Sequence, residues 1–340
     1  MRPMEGRNDF MKEIIDILTK FQKGYEEKNP ENVSALMVEI FSDRQDLLTL
    51  GTGSGEVCLG RDEVTELIRN DWDGGWGDFT INIDAAEIEV DDDAAWFYAD
   101  CTVKYTFEDS HEGNEGYVDF VKEIAEKQNA TPKQRLSFLN WALGLAYDKR
   151  NSGKREYLWP SELSGMLVKE SGTWKIATLH FATAKPNYPD ERFEETIDDY
   201  QAAHNNIKNK IISHDGNKAD RELVSLLRQH LDPEQVLVFE AGRFVWIMAI
   251  GTAKQNISES EIFNRSLQEI GDLLNSGLSP EEKLFQAKRN IAYALKETAS
   301  GTEFTWPIRL TAVLEKTEDG YKFRHKHFSY PFYWIFEGKL

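Results

Sequence analysis

Cysteine is nearly absent from this chain. Cys58 and Cys101 are the two in 340 residues, too few for a disulfide-stapled secreted scaffold, and both read as small buried residues rather than redox groups. Long apolar runs are also missing. The longest, Phe244 to Ile250, falls far short of the roughly 20 residues that span a bilayer, which excludes a membrane. Met1-Arg2-Pro3-Met4-Glu5-Gly6-Arg7 leads into Asp9, Lys12, Glu13 and Asp16, not into the uninterrupted apolar segment of a secretory signal, so a cytoplasmic location is expected. Basic residues are outnumbered, 40 against 59, leaving a net charge of −19. A general nucleic-acid binder needs the opposite surplus to displace counterions from phosphates, and nucleic acid is excluded as a partner. A calcium loop is excluded too: Asp91-Asp92-Asp93 reads as a turn, without the further oxygen ligands and the glycine that such a loop requires.

What remains is a folding composition. Hydrophobic residues make up 40%, with 9 Trp, 12 Tyr and 19 Phe, and the length calls for two domains rather than one core. The charge divides the same way. Residues 1–200 hold 41 acidic and 22 basic side chains, residues 201–340 hold 18 of each, so the excess lies wholly in the first part. Residues 51–100 alone carry 14 acidic and 2 basic side chains; the plain reading is a solvated acidic surface, the alternative a region that attracts a cationic ligand.

The two parts repeat each other. Trp159-Pro160 recurs as Trp306-Pro307, Trp174-Lys175-Ile176 as Tyr321-Lys322-Phe323, and His180-Phe181 as His327-Phe328, all at one offset of 147 residues. Upstream, Trp96, Thr102 and Lys104 match Trp246, Thr252 and Lys254 at an offset of 150. One register with small slips indicates a duplicated unit. The boundary falls near Lys185-Pro186-Asn187-Tyr188-Pro189, giving a first domain over 1–188 and a second over 189–340.

Each unit reads as helices followed by antiparallel strands, an α+β order. Phe10, Ile14, Ile17, Leu18, Phe21 and Tyr25 form the apolar stripe of an opening helix. A second helix covers Val33 to Ile40 and a third Arg61 to Trp72. Strands are expected over 47–50, 79–90, 94–107, 162–170 and 174–183, then over 235–240, 244–253, 308–315 and 321–330. The triplet Gly51, Gly53, Gly55 reads as a turn without a phosphate-binding motif. Strict alternation in the last strands sets Lys322, Arg324 and Lys326 on one face and Tyr321, Phe323, His325 and His327 on the other. Because lysine and arginine rarely bury unpaired, the aromatic face is expected to turn toward the helices, and Trp174, Ile176, Thr178 and His180 with it. Phe244 to Ile250 shows no alternation, so both its faces should be covered, one of them by a second sheet. The two units are therefore expected to pack sheet to sheet as an intramolecular pseudo-dimer, with a homo-oligomer left open.

Several segments together resemble one family. A helix closing in Glu27-Lys28-Asn29-Pro30, Gly60-Arg61-Asp62-Glu63-Val64 opening another, Ala94-Ala95-Trp96 at a strand start, and the closing Gly172-Thr173-Trp174-Lys175-Ile176-Ala177-Thr178-Leu179-His180 are similar to the SnoaL-like branch of the nuclear transport factor 2-like (NTF2-like) superfamily. The resemblance covers most of residues 8–185 and, more weakly, 193–332. It implies two tandem cones, each a curved, mostly antiparallel sheet with helices on its concave face and a pocket at the open end. It also marks departures: helical insertions near 111–158 and 258–304, read either as core extensions or as lids, and a second unit that lacks a counterpart of the strand at Leu50.

Family members include isomerases, cyclases, dehydratases, epoxide hydrolases and non-catalytic modules, so the fold leaves function open. The positions at which isomerases of the family carry acid–base groups align with Phe21, Gly51 and Ser164, none of which can do that work. The first cone is expected to bind a small, largely apolar molecule among Phe21, Tyr25, Trp72, Trp76, Trp159, Trp174 and His180. The second pocket would be lined by Tyr321, Phe323, His325 and His327. Two rival readings stand: a lyase, isomerase or cyclase with His180 as acid or base, and an assembly module built on the apolar strand. His325-x-His327 lacks an identifiable third ligand for a metal, and no cofactor is expected.

Overall fold

A computed structural model describes residues 4–53, 55–73, 78–106, 156–183, 217–218, 221–256, 258–277 and 303–329, with single positions at 122, 126, 280, 283–284, 287, 290–291 and 294. Helix α1 (Met4–Glu27) buries Ile14, Ile17, Leu18, Phe21 and Tyr25, the stripe its periodicity calls for. It ends where Lys28 turns to a positive φ of 45° and its amide bonds back to the Gly24 carbonyl, a left-handed cap. A 3-10 turn (Pro30–Asn32) leads into α2 (Val33–Ile40). The last carbonyls of α2 are taken up by side chains from elsewhere: Arg61 reaches those of Met37 and Phe41, and Lys175 those of Val38 and Glu39. Strands β1 (Leu48–Leu50) and β2 (Val57–Leu59) form a short hairpin before α3 (Gly60–Asp73), whose start needs the positive φ of Gly60.

The first sheet continues with β3 (Asp78–Ile81), β4 (Glu87–Asp91), β5 (Ala94–Thr106), β6 (Glu156–Glu170) and β7 (Thr173–Thr183). Its order is β2-β1-β7-β6-β5-β3, with β4 also paired to β5. The single strand expected over 79–90 is two, because a 3-10 turn at Ile83–Ala85 breaks it. The glycine triplet is the β1–β2 turn, and β2 itself went unseen. The pairing of β1 with β7 is parallel, so the sheet is mixed. Helices α1, α2 and α3 lie on one face, over a core of Phe97, Ala99, Cys101, Val103, Leu163, Leu167, Leu179 and Phe181.

A second sheet has the order β12-β11-β10-β9-β8: β8 (Asn217–Lys218), β9 (Asp232–Ala241), β10 (Phe244–Asn256), β11 (Glu303–Thr317) and β12 (Gly320–Ser329). Helix α4 (Arg221–Leu227) covers one of its faces through Leu223 and Leu227. Helix α5 (Glu259–Asn275) follows β10 and opens on a capping box, Ser258 with Glu261. Most of the first insertion lies outside the described residues. No helix among the described residues is long and apolar enough to cross a membrane.

The two sheets share a core. Leu48, Leu50, Trp96, Met166, Val168 and Ala177 of the first meet Leu237, Phe239, Phe244, Trp246, Met248 and Ile250 of the second, so the apolar strand at Phe244–Ile250 has both faces covered inside the chain. Their registers also correspond. Leu163 pairs with Phe181 and Leu310 with Phe328; Ser164 pairs with His180 and Thr311 with His327; each residue of the second pair lies 147 positions after its counterpart.

The same is true of an irregularity. The β6–β7 ladder slips between Met166 and Leu167, skipping Ala177, and the β11–β12 ladder slips between Val313 and Leu314, skipping Arg324. Each is a β-bulge, and one unpaired residue moves every later side chain to the other face. The alternation expected of these strands therefore fails halfway. Trp174 and Ile176 face the helices, but beyond Ala177 it is Leu179 and Phe181 that do so. Thr178 and His180 turn to the seam between the sheets. In β12, Tyr321 and Phe323 pack on the α4 side, whereas His325 and His327 meet residues of the first sheet.

Candidate functional site

The concave side of the first sheet holds a cluster of rings. Phe21 lies 5.1 Å from Tyr25 and 6.2 Å from Phe79, and Tyr25 lies 5.6 Å from Phe79 and 5.9 Å from Trp72, all between centroids. The edge of Trp72 presses on Gly24, where any Cβ would come within 2.9 Å of the indole. Set into these rings is one polar pair. The Tyr25 hydroxyl donates to Asp71 Oδ2 at 2.8 Å. Burial, and then the negative charge of Glu56, push the Asp71 carboxyl up to about 8, while the bond from Tyr25 opposes that rise. Burial and the charge of Asp71 hold the Tyr25 phenol well above its ordinary range. Asp71 also sits in the last turn of α3, where the helix dipole disfavours an anion. At neutral pH both groups therefore keep their protons. Asp71 can accept from Tyr25 and still offer its own O–H, so one free donor, held in place by the phenol, stands in apolar surroundings, an arrangement suited to a carbonyl oxygen.

Glu56 is held by its own turn. Its Oε2 accepts from the Gly53 amide at 2.7 Å, and its backbone carbonyl from the Gly51 amide at 2.9 Å. A Cβ on Gly51 would fall 2.1 Å from that same Oε2, so the glycine makes room for the carboxylate.

A second polar cluster fills the seam. The rings of His180 and His327 lie 4.0 Å apart, tilted by 32°; His180 is wholly buried and His327 is 2% exposed. His180 Nδ1 meets Thr311 Oγ1 at 2.9 Å and its Nε2 meets Ser329 Oγ at 2.7 Å. His327 Nδ1 meets Ser164 Oγ at 2.7 Å, and its Nε2 stands 3.4 Å from a Glu162 oxygen. His325 stacks on Trp96 and tilts against Tyr98. Burial lowers all three imidazoles, His327 to about 3, and the neighbouring histidines add to this for His180 and His327. They are neutral packing groups. Among the described residues, no group of three His, Cys, Asp or Glu side chains could hold a metal ion.

The expected pocket residues thus separate. Phe21, Tyr25 and Trp72 come together on the concave side. Trp174 is buried in the same core, edge-on to Phe10 at 6.0 Å. His180 lies across the sheet from them, because the bulge at Ala177 reverses its face. The second set divides likewise, Tyr321 and Phe323 from His325 and His327. Trp76 and the side chain of Trp159 lie outside the described residues. Asp71 went unread, although Val64, Ile68 and Asp71 follow at spacings of four and three, which sets this carboxyl on the buried stripe of α3. Phe21 at the aligned isomerase position carries no hydroxyl, but Tyr25 stands one turn further along the same stripe.

Residues 14–121 match the SnoaL-like domain family; β6 and β7, which complete the first sheet, follow beyond the match. No curated protein matches the chain at a significant level. Among solved structures, the chain is similar to an NTF2-like superfamily protein of Salmonella enterica at 12% identity, over 54% of this chain and 97% of that one, with a TM-score of 0.33. A function-unknown protein of Mycobacterium tuberculosis is 12% identical over 61% and 95% of the two chains, TM-score 0.35. An NTF2-like protein of unknown function from Shewanella oneidensis is 11% identical over 50% and 96%, TM-score 0.28.

Proposed function

We propose that the concave side of the first unit binds a small, largely apolar molecule with one polar end, an oxygen that accepts from the O–H of protonated Asp71, whose carboxyl is held by Tyr25. The observation that carries this reading is the 2.8 Å bond between two neutral, proton-bearing groups among aromatic rings. Binding pockets combine apolar walls with few, well-placed polar groups. The acid–base role expected of His180 passes to this pair, since both nitrogens of His180 are engaged across the seam. The test is a titration of the protein with neutral aromatic alcohols and ketones, followed by NMR. Saturable binding, weakened roughly threefold to tenfold in Tyr25→Phe and Asp71→Asn, supports it. No saturable binding, or affinity unchanged in both variants, rejects it.

We also infer that the chain is one module in two tandem copies, packed as an internal pseudo-dimer. Two observations favour this. The bulges and registers correspond at 147 residues, and the seam contacts are reciprocal: His180 bonds Thr311 while His327 bonds Ser164, the counterparts of each other, as in an isologous interface. Double-mutant cycles on the two pairs should give couplings of the same sign and similar size; coupling confined to one pair would count against duplication. In this reading the apolar strand spends its second face within the chain and calls for no assembly partner.

A further inference from the structure

We propose that Arg309, on a strand of the second sheet, is a positioning residue for the Tyr25–Asp71 site of the first: it holds the Gly51–Glu56 turn, and the turn holds the Glu56 carboxylate beside that pair. The proposal rests on the reading of Tyr25 and Asp71 as the binding site.

Arg309 is 2% exposed, and its Nη1 donates to the Gly51 carbonyl at 3.0 Å. A guanidinium is rarely buried to this degree without a defined task, and this one crosses from β11 to the far end of β1. The turn it grips joins two short strands. Strands β1 and β2 pair over three residues each, and a hairpin that short is marginal by itself. Gly51 is bonded on both sides: its carbonyl to Arg309, its amide to the Glu56 carbonyl. The Glu56 side chain then folds back onto the Gly53 amide and packs over Gly51. Glu56 in turn acts on the site through its charge, which raises both Asp71 and Tyr25. The line from second sheet to site thus runs from Arg309 through Gly51 and Glu56 to Asp71 and Tyr25. The second unit, on this view, adds to the burial that keeps the first unit's acid protonated.

The test uses the full chain with carbon-13-labelled aspartate. The Asp71 carboxyl signal is assigned by its loss in Asp71→Asn and its titration followed with pH. Glu56→Gln is the positive control and should lower the midpoint. Arg309→Met is expected to lower it by about one pH unit, and Arg309→Lys, which keeps a donor on a shorter reach, by less. Arg309→Lys carries the test should Arg309→Met not fold. Arg243→Met removes another guanidinium that crosses the seam, paired with Glu89 and Asp91, and should leave the midpoint unmoved. An unmoved midpoint in the Arg309 variants, or an equal shift in Arg243→Met, overturns the proposal. The readout needs no ligand, so its failure is distinct from failure of the binding reading, which the titration with alcohols and ketones decides.

Discussion

The first sheet buries a polar pair on each of its faces, and the two behave in opposite ways. On the concave face Tyr25 and Asp71 belong to one unit and keep their protons. On the seam face His180 and His327 belong to different units and shed theirs. Burial drives all four toward the neutral form, but for an acid that means holding a proton and for a base losing one. The acid is left able to donate to a newcomer. The imidazoles are bonded to hydroxyls of the opposite sheet. One pair is suited to a ligand, the other to fastening two sheets.

The comparison can be broken most severely at the seam. His180→Ala deletes a fully buried ring and strands Thr311 and Ser329, and should cost about 3–4 kcal/mol in denaturant unfolding, whereas Tyr25→Phe, which keeps its ring, should cost about 1 kcal/mol. Equal losses would erase the distinction. pH sharpens it next. The histidines are lowered in the folded chain, so their contribution is complete above about 6.5 and is lost as pH falls toward about 3 for His327, by up to ~1.4 kcal/mol for each pH unit. Asp71 is raised, so its contribution is complete below the ordinary carboxylate range near 4 and is lost as pH rises toward about 8. Unfolding measured across pH should therefore flatten on its acid limb, which His180 and His325 share, in a His327→Phe variant, and on its alkaline limb in Asp71→Asn; exchanged limbs would refute the assignment. The smallest effects are local. Gly51→Ala should displace the Glu56 carboxylate and lower the Asp71 midpoint, and Tyr25→Phe should raise it, since the phenol's bond favours the anion. Shifts of like sign, read by the carboxyl carbon, would contradict the roles given to Glu56 and Tyr25.

Much of this was legible in the residues. The stripe from Ile14 to Tyr25 fixed α1 and the ring cluster beneath it. Alternation in β5 separated Phe97, Ala99, Cys101 and Val103 from Trp96 and Tyr98, as the two cores do. The unbroken apolar run at Phe244 foretold a second covered face. Two things were not legible. A bulge leaves no mark in composition, so parity counted past Ala177 and Arg324 sent the histidines the wrong way. Asp71 was hidden among 14 acidic side chains within fifty residues, most of them solvated, and its helical spacing was the one sign that set it apart.

The bulge at Ala177 means that plain alternation does not assign the closing strand's two sides; the one residue out of step does. Flatten that bulge with the alanine kept in register, and Leu179 and Phe181 would trade places with Thr178 and His180. An imidazole would then be thrust among the phenylalanines, and greasy side chains would be set opposite hydroxyls. The chain carries one spare residue at this spot in each half, and on that extra length depends which surface of the closing strand meets the helices and which meets the opposite sheet.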